Sequence, residues 1–89
     1  MYYVYILLGE RDGNFYIGNT NNLRIRFSQH CDGKVESTKN RRPLKLAYYE
    51  GYLSKEDAQR NEKYYKTTKG REDLRKKLKS ILEKYRMGP

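Results

Sequence analysis

Five polar residues between positions 5 and 62 are of the types that can together cut a phosphodiester bond. They are two tyrosines, one arginine, one histidine and one glutamate: Tyr5, Tyr16, Arg26, His30 and Glu62. Hydrolysis of a phosphodiester develops negative charge on the phosphoryl oxygens and on the leaving oxygen, and a cation or a guanidinium stabilises that charge. A carboxylate can hold a divalent cation, whereas phenol and imidazole groups can move protons. The residue types therefore predict phosphate-ester chemistry.

The charge of the whole chain favours a polyanionic partner. The net charge is +9 over 89 residues, and the sequence pI is about 9.7. Such a balance predicts binding to nucleic acid, or less often to an anionic membrane, although it also aids solubility. Cys31 is the only cysteine, which excludes an internal disulfide. Cysteine and histidine residues also form no cluster with the spacing of zinc ligands. The longest apolar run, residues 4–8, is too short to span a bilayer, and no signal peptide is visible, so we expect a cytoplasmic protein with no membrane partner.

The elements that must position these residues begin with a β-hairpin. Residues 2–8 are rich in aromatic and β-branched side chains, residues 9–14 are rich in turn formers, and residues 15–18 predict the return strand. Side chains alternate along a strand, so the apolar set predicts one core-facing side. The tyrosines Tyr3, Tyr5 and Tyr16 then share the opposite face.

A helix is expected from Leu23 to about Cys31, after a cluster of capping residues at positions 19–22. Leu23, Arg26, Phe27 and His30 fall at i, i+3, i+4 and i+7, which is one face of a helix. Two polar side chains thus lie on the stripe that turns toward the protein.

Beyond this helix the pattern predicts a basic loop, a third strand and two more helices. The loop, residues 32–43, contains Lys34, Lys39, Arg41 and Arg42, and reads equally as a solvated loop or as a segment that contacts phosphates. Residues 44–53 predict a strand, and Ser54 caps a helix whose inward stripe includes Glu62. We expect Gly70 to break this helical run and a packing helix to span about residues 72–85. The fold class is therefore α+β, a small antiparallel sheet of about three strands flanked by helices, in one domain over residues 1–89.

The order and spacing of the five residues resemble the GIY-YIG nuclease family, and most closely its small stand-alone members. Tyr5 ends the motif Tyr3-Val4-Tyr5, and Tyr16 opens the motif Tyr16-Ile17-Gly18. Arg26 and His30 match the arginine and histidine of the family's first helix, and Glu62 matches its metal-binding glutamate. The resemblance covers residues 2 to about 70, although the first motif lacks the Gly and Ile of the family name.

The resemblance implies that all five residues are catalytic, that Glu62 binds Mg²⁺ or Mn²⁺, and that DNA is the partner, with RNA left open. The function expected is a metal-dependent DNA endonuclease or nicking enzyme, in DNA repair or recombination, with a protein partner supplying target specificity. An ordinary phenol has a pKa of about 10, so a tyrosine base would need nearby positive charge. The alternative function is a non-catalytic or partner-dependent basic nucleic-acid-binding module on the same fold.

Overall fold

The computed structural model describes residues 1–86, in which the three strands and the first two α-helices follow the expected order. The strands are β1 (Tyr2–Gly9), β2 (Phe15–Thr20) and β3 (Leu44–Tyr52). The α-helices are α1 (Leu23–Cys31), α2 (Lys55–Tyr65), α3 (Thr68–Lys77) and α4 (Lys79–Arg86), and a short 3₁₀ turn (Lys39–Arg41) lies in the loop before β3. The α+β class with a three-stranded antiparallel sheet is confirmed. No helix within residues 1–86 has both the length and the apolar character needed to cross a membrane.

The sheet has the strand order β2-β1-β3, with β1 in the centre and antiparallel to both neighbours. This position explains why residues 4–8 form an apolar run, since a strand covered on both faces needs buried side chains on each side. In the register, Tyr5 lies opposite Gly18 on β2 and opposite Tyr49 on β3. The hairpin therefore forms with β2 as one edge of the sheet.

Each face of the sheet has its own apolar core. On one face α2 and α3 pack against the sheet, and the buried cluster consists of Val4, Ile6, Ile17, Ala58, Tyr65 and Leu74. On the other face the buried residues are Tyr5, Leu7 and Leu44, covered by Tyr16, Leu23, Phe27 and Leu46. The predicted alternation is confirmed. The tyrosine face is nevertheless a second core and not an open surface, because α1 packs over it and leaves Tyr5 only 1% exposed.

Helix α1 starts where the capping cluster predicts. The side chain of Asn22 accepts a hydrogen bond from the Ile25 amide at 3.1 Å, which satisfies one of the free amides of the first turn. Arg26 is partly buried and His30 is fully buried, so the inward orientation of both polar residues is confirmed.

A cluster of polar side chains between β3, α2 and α3 fixes the position of α2. The hydroxyls of Tyr48, Tyr52 and Tyr65 all donate to the carboxylate of Glu50, and Lys77 lies 3.5 Å from the same carboxylate. Burial opposes ionisation of Glu50, but these hydrogen bonds outweigh it and hold its pKa below the ordinary value. Burial, together with the hydrogen bond that Tyr65 itself donates to Glu50, raises the pKa of Tyr65 to about 12. The cluster stabilises the helix that carries Glu62.

The C-terminal helices differ from the sequence prediction. Gly70 does not break a helix but lies buried in the first turn of α3, where the Thr67 side chain caps its amide. The expected single helix over residues 72–85 is two helices, α3 and α4, separated at Leu78. The sequence pattern did not reveal the break, because a single non-helical residue changes the helix direction but hardly alters the spacing of the apolar residues on either side of it.

Candidate active site

The innermost part of the site is a buried chain of three side chains. The Tyr5 hydroxyl lies 2.9 Å from His30 Nε2, and His30 Nδ1 lies 2.7 Å from Thr38 Oγ1. His30 and Thr38 are both 0% exposed. A neutral imidazole has one donor and one acceptor nitrogen, so these two partners satisfy it fully. The chain holds the Tyr5 ring and hydroxyl in one place.

The electrostatics of this chain favour neutral groups. Burial, together with the positive charge of Arg26, lowers the pKa of His30 to about 4. Burial also raises the pKa of Tyr5, although the Arg26 guanidinium partly offsets the rise by hydrogen bonding and charge. At neutral pH the imidazole is therefore uncharged and the phenol keeps its proton. His30 does not reach solvent, so it cannot contact a phosphate directly.

Tyr16 and Gly18 on β2 complete this part of the site. The ring of Tyr16 lies 5.1 Å from the imidazole of His30 and 6.4 Å from the ring of Tyr5, measured between centroids. Gly18 is buried opposite Tyr5, and a Cβ there would lie 2.5 Å from the Tyr5 hydroxyl oxygen. The absence of a side chain at position 18 is what lets the Tyr5 ring extend across β2 toward the edge of the sheet.

Arg26 lies beside this tyrosine cluster and is only partly buried. Its Nη1 donates to the Gln29 side-chain oxygen at 3.0 Å, one turn further along α1. Its charge acts on both Tyr5 and His30, as their pKa directions show. The guanidinium is thus held by a neutral partner, and no carboxylate within residues 1–86 forms an ion pair with it.

Glu62 approaches the same region from α2, at the β2 edge of the sheet. Asn19, next to Gly18 on β2, donates from its side-chain amide to Glu62 Oε1 at 2.6 Å. The other oxygen, Oε2, pairs with Lys66 at 3.1 Å, and the Glu62 side chain is 17% exposed. Its negative charge contributes to the raised pKa of Tyr5, so it lies within electrostatic range of the tyrosine cluster.

The donor set around Glu62 fits one kind of metal ion. No group of three or more Asp, Glu, His or Cys side chains able to hold a metal is present within residues 1–86. Mg²⁺ and similar cations commonly take one or two protein carboxylates together with waters and a substrate phosphate. A single, hydrogen-bonded and solvent-reachable carboxylate suits that pattern and does not suit a closed zinc site. The Lys66 ammonium that pairs with this carboxylate is itself half exposed, at 51%.

Three of the four basic loop residues pair with groups outside this site. Arg41 donates to Asp12 at 3.1 Å and to the Asn14 carbonyl at 2.9 Å, and so ties the loop to the hairpin turn. Arg42 donates to the backbone carbonyls of Lys39 and Cys31, while Lys39 pairs with the exposed Glu36. Lys34 is exposed. The hairpin turn lies about 15 Å along β2 from Asn19, at about 3.3 Å a residue, so Arg41 is remote from Glu62.

The structural roles of three residues of the site were not predicted from the sequence. Thr38 was assigned to a basic loop, and nothing in the local pattern signals that it is buried against His30. Asn19 was placed in the capping cluster, whereas in the structure it lies on β2 and its amide holds Glu62 across the edge of the sheet. Gly18 was identified as part of a motif, but its close contact with Tyr5 depends on strand register.

The geometry and the comparison with known proteins agree on the class of protein. The chain belongs to the GIY-YIG family, because the model of the GIY-YIG catalytic domain matches residues 1–79. This match includes all five residues of the site and extends through α3. The family consists generally of endonucleases that use divalent metals, which indicates nuclease activity with DNA as the substrate.

Within that family the chain is similar to small proteins named UPF0213. One from Streptococcus pneumoniae is 43% identical over 68 residues, covering 75% of this chain and 68% of the relative. One from Staphylococcus haemolyticus is 39% identical over 84 residues, covering 93% and 96%. The solution NMR structure of a UPF0213 protein from Bacillus halodurans has a TM-score of 0.52 at 36% identity, covering 83% of this chain and 82% of that one.

Proposed function

We propose that this protein is a metal-dependent DNA endonuclease or nicking enzyme that hydrolyses phosphodiester bonds. The observation that carries the proposal is the division of the five residues into two layers. Tyr5 and His30 are buried and neutral, whereas Tyr16, Arg26 and Glu62 are all partly exposed at the β2 side of the sheet. A buried support with reactive groups above it is the arrangement that holds catalytic side chains in place.

Each exposed group has a distinct task in this proposal. Arg26, held by Gln29, presents its remaining donors to the phosphoryl oxygens, where charge grows as water attacks phosphorus. Tyr16 hydrogen-bonds the attacking water and accepts its proton. Glu62 holds the divalent cation, which when bound supplies positive charge near the phosphoryl and leaving oxygens. Asn19 fixes the orientation of the carboxylate for that purpose.

The buried groups position these three. Tyr5 is buried and its hydroxyl is hydrogen-bonded to His30, so we assign the proton-accepting role to the partly exposed Tyr16. His30 is a positioning residue that holds Tyr5 and is itself held by Thr38. The assignment of Mg²⁺ or Mn²⁺, of DNA repair or recombination, and of a cytoplasmic location belongs to the same proposal.

Cleavage assays on supercoiled, branched and single-stranded DNA with Mg²⁺ or Mn²⁺ test the proposal. We expect Glu62→Ala to abolish cleavage while the fold survives, and Glu72→Ala, which alters an exposed glutamate on α3, to cut at the wild-type rate. Tyr16→Phe keeps the ring and should lose about 10²- to 10⁴-fold in rate, the usual contribution of a positioned base. A folded Glu62→Ala variant with full activity would exclude the metal assignment.

The salt dependence of DNA binding tests the contribution of the basic loop. Each phosphate contact contributes a slope of about −0.9 in log K against log salt on duplex DNA. Arg41 and Arg42 donate hydrogen bonds to other segments of the protein, whereas Lys34 is exposed and Lys39 pairs only with the exposed Glu36, so we assign the phosphate contacts of the loop first to Lys34 and Lys39. Neutralising both should reduce the slope by about 2. Salt-sensitive binding without cleavage under any metal condition would instead support a nucleic-acid-binding module.

A further inference from the structure

A groove of about 530 Å³ opens between the first half of α1 and the β1–β3 side of the sheet. Its floor is apolar and is formed by Leu23, Phe27 and Leu46. These three side chains pack against the buried cluster that contains Tyr5. The groove is therefore an extension of the candidate active site along the same face of the sheet.

One wall of the groove is aromatic. Tyr3 and Tyr49 lie in an edge-to-face arrangement with ring centroids 6.1 Å apart. Tyr49 is 53% exposed, an unusual state for a large ring on a sheet whose other side chains are mostly covered. Because about half of Tyr49 is exposed, part of its ring surface is available for stacking by a flat ligand.

The rim of the groove is polar and basic. It is formed by Asn21, Asn22 and Arg24, and no carboxylate is among the residues of the described chain that line the groove. Asn22 uses its side-chain oxygen to cap α1, which leaves its amide group to donate. Amide and guanidinium groups of this kind pair with base edges and phosphates. The rim therefore suits an anionic, hydrogen-bonding ligand with a flat apolar part.

The groove also lies close enough to Glu62 for one nucleic-acid strand to contact both. Asn21 is two residues from Asn19, which holds Glu62, so their Cα atoms are at most about 7 Å apart. Tyr49 lies two strands from Gly18 in the register of the sheet, which is about 10 Å at about 4.8 Å between neighbouring strands. A nucleotide seated in the groove would be a near neighbour of the phosphate at Arg26 and Glu62.

We propose that this groove binds an unpaired nucleobase, stacked on Tyr49, and that the preferred substrate is single-stranded or locally unpaired nucleic acid. The inference rests on the proposed nuclease function and names its substrate class. In a continuous duplex the faces of the bases are covered by their neighbours, so an aromatic wall can stack only on a base that has left the helix. The +9 net charge attracts any nucleic-acid strand, whereas the groove favours strands with unpaired bases over a continuous duplex.

The test compares binding of two DNA probes of equal length in EDTA, with the probes checked on a gel for integrity. One probe is a single strand with one 2-aminopurine, and the other is a blunt duplex. We expect the wild type to prefer the single strand and to change the fluorescence of the 2-aminopurine. Tyr49→Ala should lose about tenfold to a hundredfold in affinity for the single strand, the range measured for removal of one stacking aromatic, and little for the duplex.

Two matched variants separate stacking from other contacts. Tyr49→Phe keeps the ring and should bind the single strand like the wild type, whereas Tyr49→Leu keeps apolar area but no π-face and should behave like Tyr49→Ala. Ile25→Ala serves as the control, because Ile25 is an exposed apolar side chain that lies on α1 and outside the groove. This variant should prefer the single strand over the duplex as the wild type does. These three results, together with those for the wild type and Tyr49→Ala, would support the proposal.

Several results would overturn it. If Tyr49→Leu binds as tightly as the wild type, the groove is an apolar docking site and not a stacking site. If Tyr49→Ala weakens both probes equally, or neither, the groove does not select unpaired bases, although the nuclease proposal stands. If the wild type binds neither probe at low salt, the proposed nuclease function fails first.

Discussion

The protonation of His30 offers a direct test of the buried chain, because it is the only histidine in the protein. Its resonances in an NMR titration therefore report on this site alone. An ordinary histidine has a pKa of about 6.5, and burial with the Arg26 charge lowers that of His30 to about 4. At pH 5 we expect only about a tenth of His30 to be protonated in the folded protein, whereas an ordinary imidazole would be almost fully protonated.

The same difference affects stability with a defined sign. The unfolded chain binds a proton at about pH 6.5 and the folded chain only near pH 4, so lowering the pH through this window favours unfolding. The stabilisation is complete above pH 6.5 and is lost progressively down to about pH 4. At about 1.36 kcal/mol per unit of pKa, the difference between the unfolded and the folded pKa of His30 contributes about 3 kcal/mol to the free energy of unfolding.

Urea unfolding between pH 7.5 and pH 4.5 measures this loss. The variant His30→Gln cannot titrate, so its free energy of unfolding should fall less steeply with pH than that of the wild type. The carboxylates titrate equally in both proteins, and the difference between the two slopes isolates the histidine. The Arg26→Gln variant should raise the pKa of His30 part of the way, since burial remains. A folded wild type whose imidazole titrates near pH 6.5 would refute the buried, neutral chain.

Three further substitutions test the geometry of the site and of the helices. Arg26→Lys should lose about 10²-fold or more in cleavage rate, nearly as much as Arg26→Ala, because an ammonium lacks the two-point donor geometry; near wild-type kinetics would mean that only bulk charge matters. Gly18→Ala should displace the Tyr5 hydroxyl and lower both cleavage rate and melting temperature. An unchanged pKa of His30 in this variant would contradict the displacement, because it would show that the Tyr5–His30–Thr38 hydrogen bonds are intact. Gly70→Ala should destabilise by about 1–3 kcal/mol in urea unfolding, because a Cβ would overlap the Tyr64 carbonyl, with cleavage by the folded fraction unchanged; wild-type stability would contradict the close contact.

The sequence by itself determined the local elements and the order of the site residues. Strand alternation placed Tyr5 and Tyr16 on one face, and helical periodicity turned Arg26 and His30 inward. These predictions succeeded because alternation and the 3.6-residue period are properties of neighbouring residues. The GIY-YIG family could also be identified at this stage, since its motifs keep a fixed order along the chain.

The tertiary structure alone decided which of those residues are buried and what holds them. That α1 covers the tyrosine face, that Thr38 closes the chain behind His30, and that Asn19 reaches Glu62 from 43 positions away all depend on how distant segments pack. The Glu50 cluster and the break at Leu78 were likewise invisible in the pattern. Burial sets the pKa directions of Tyr5 and His30, and burial is a property of the assembled fold, because desolvation depends on every segment that covers a group.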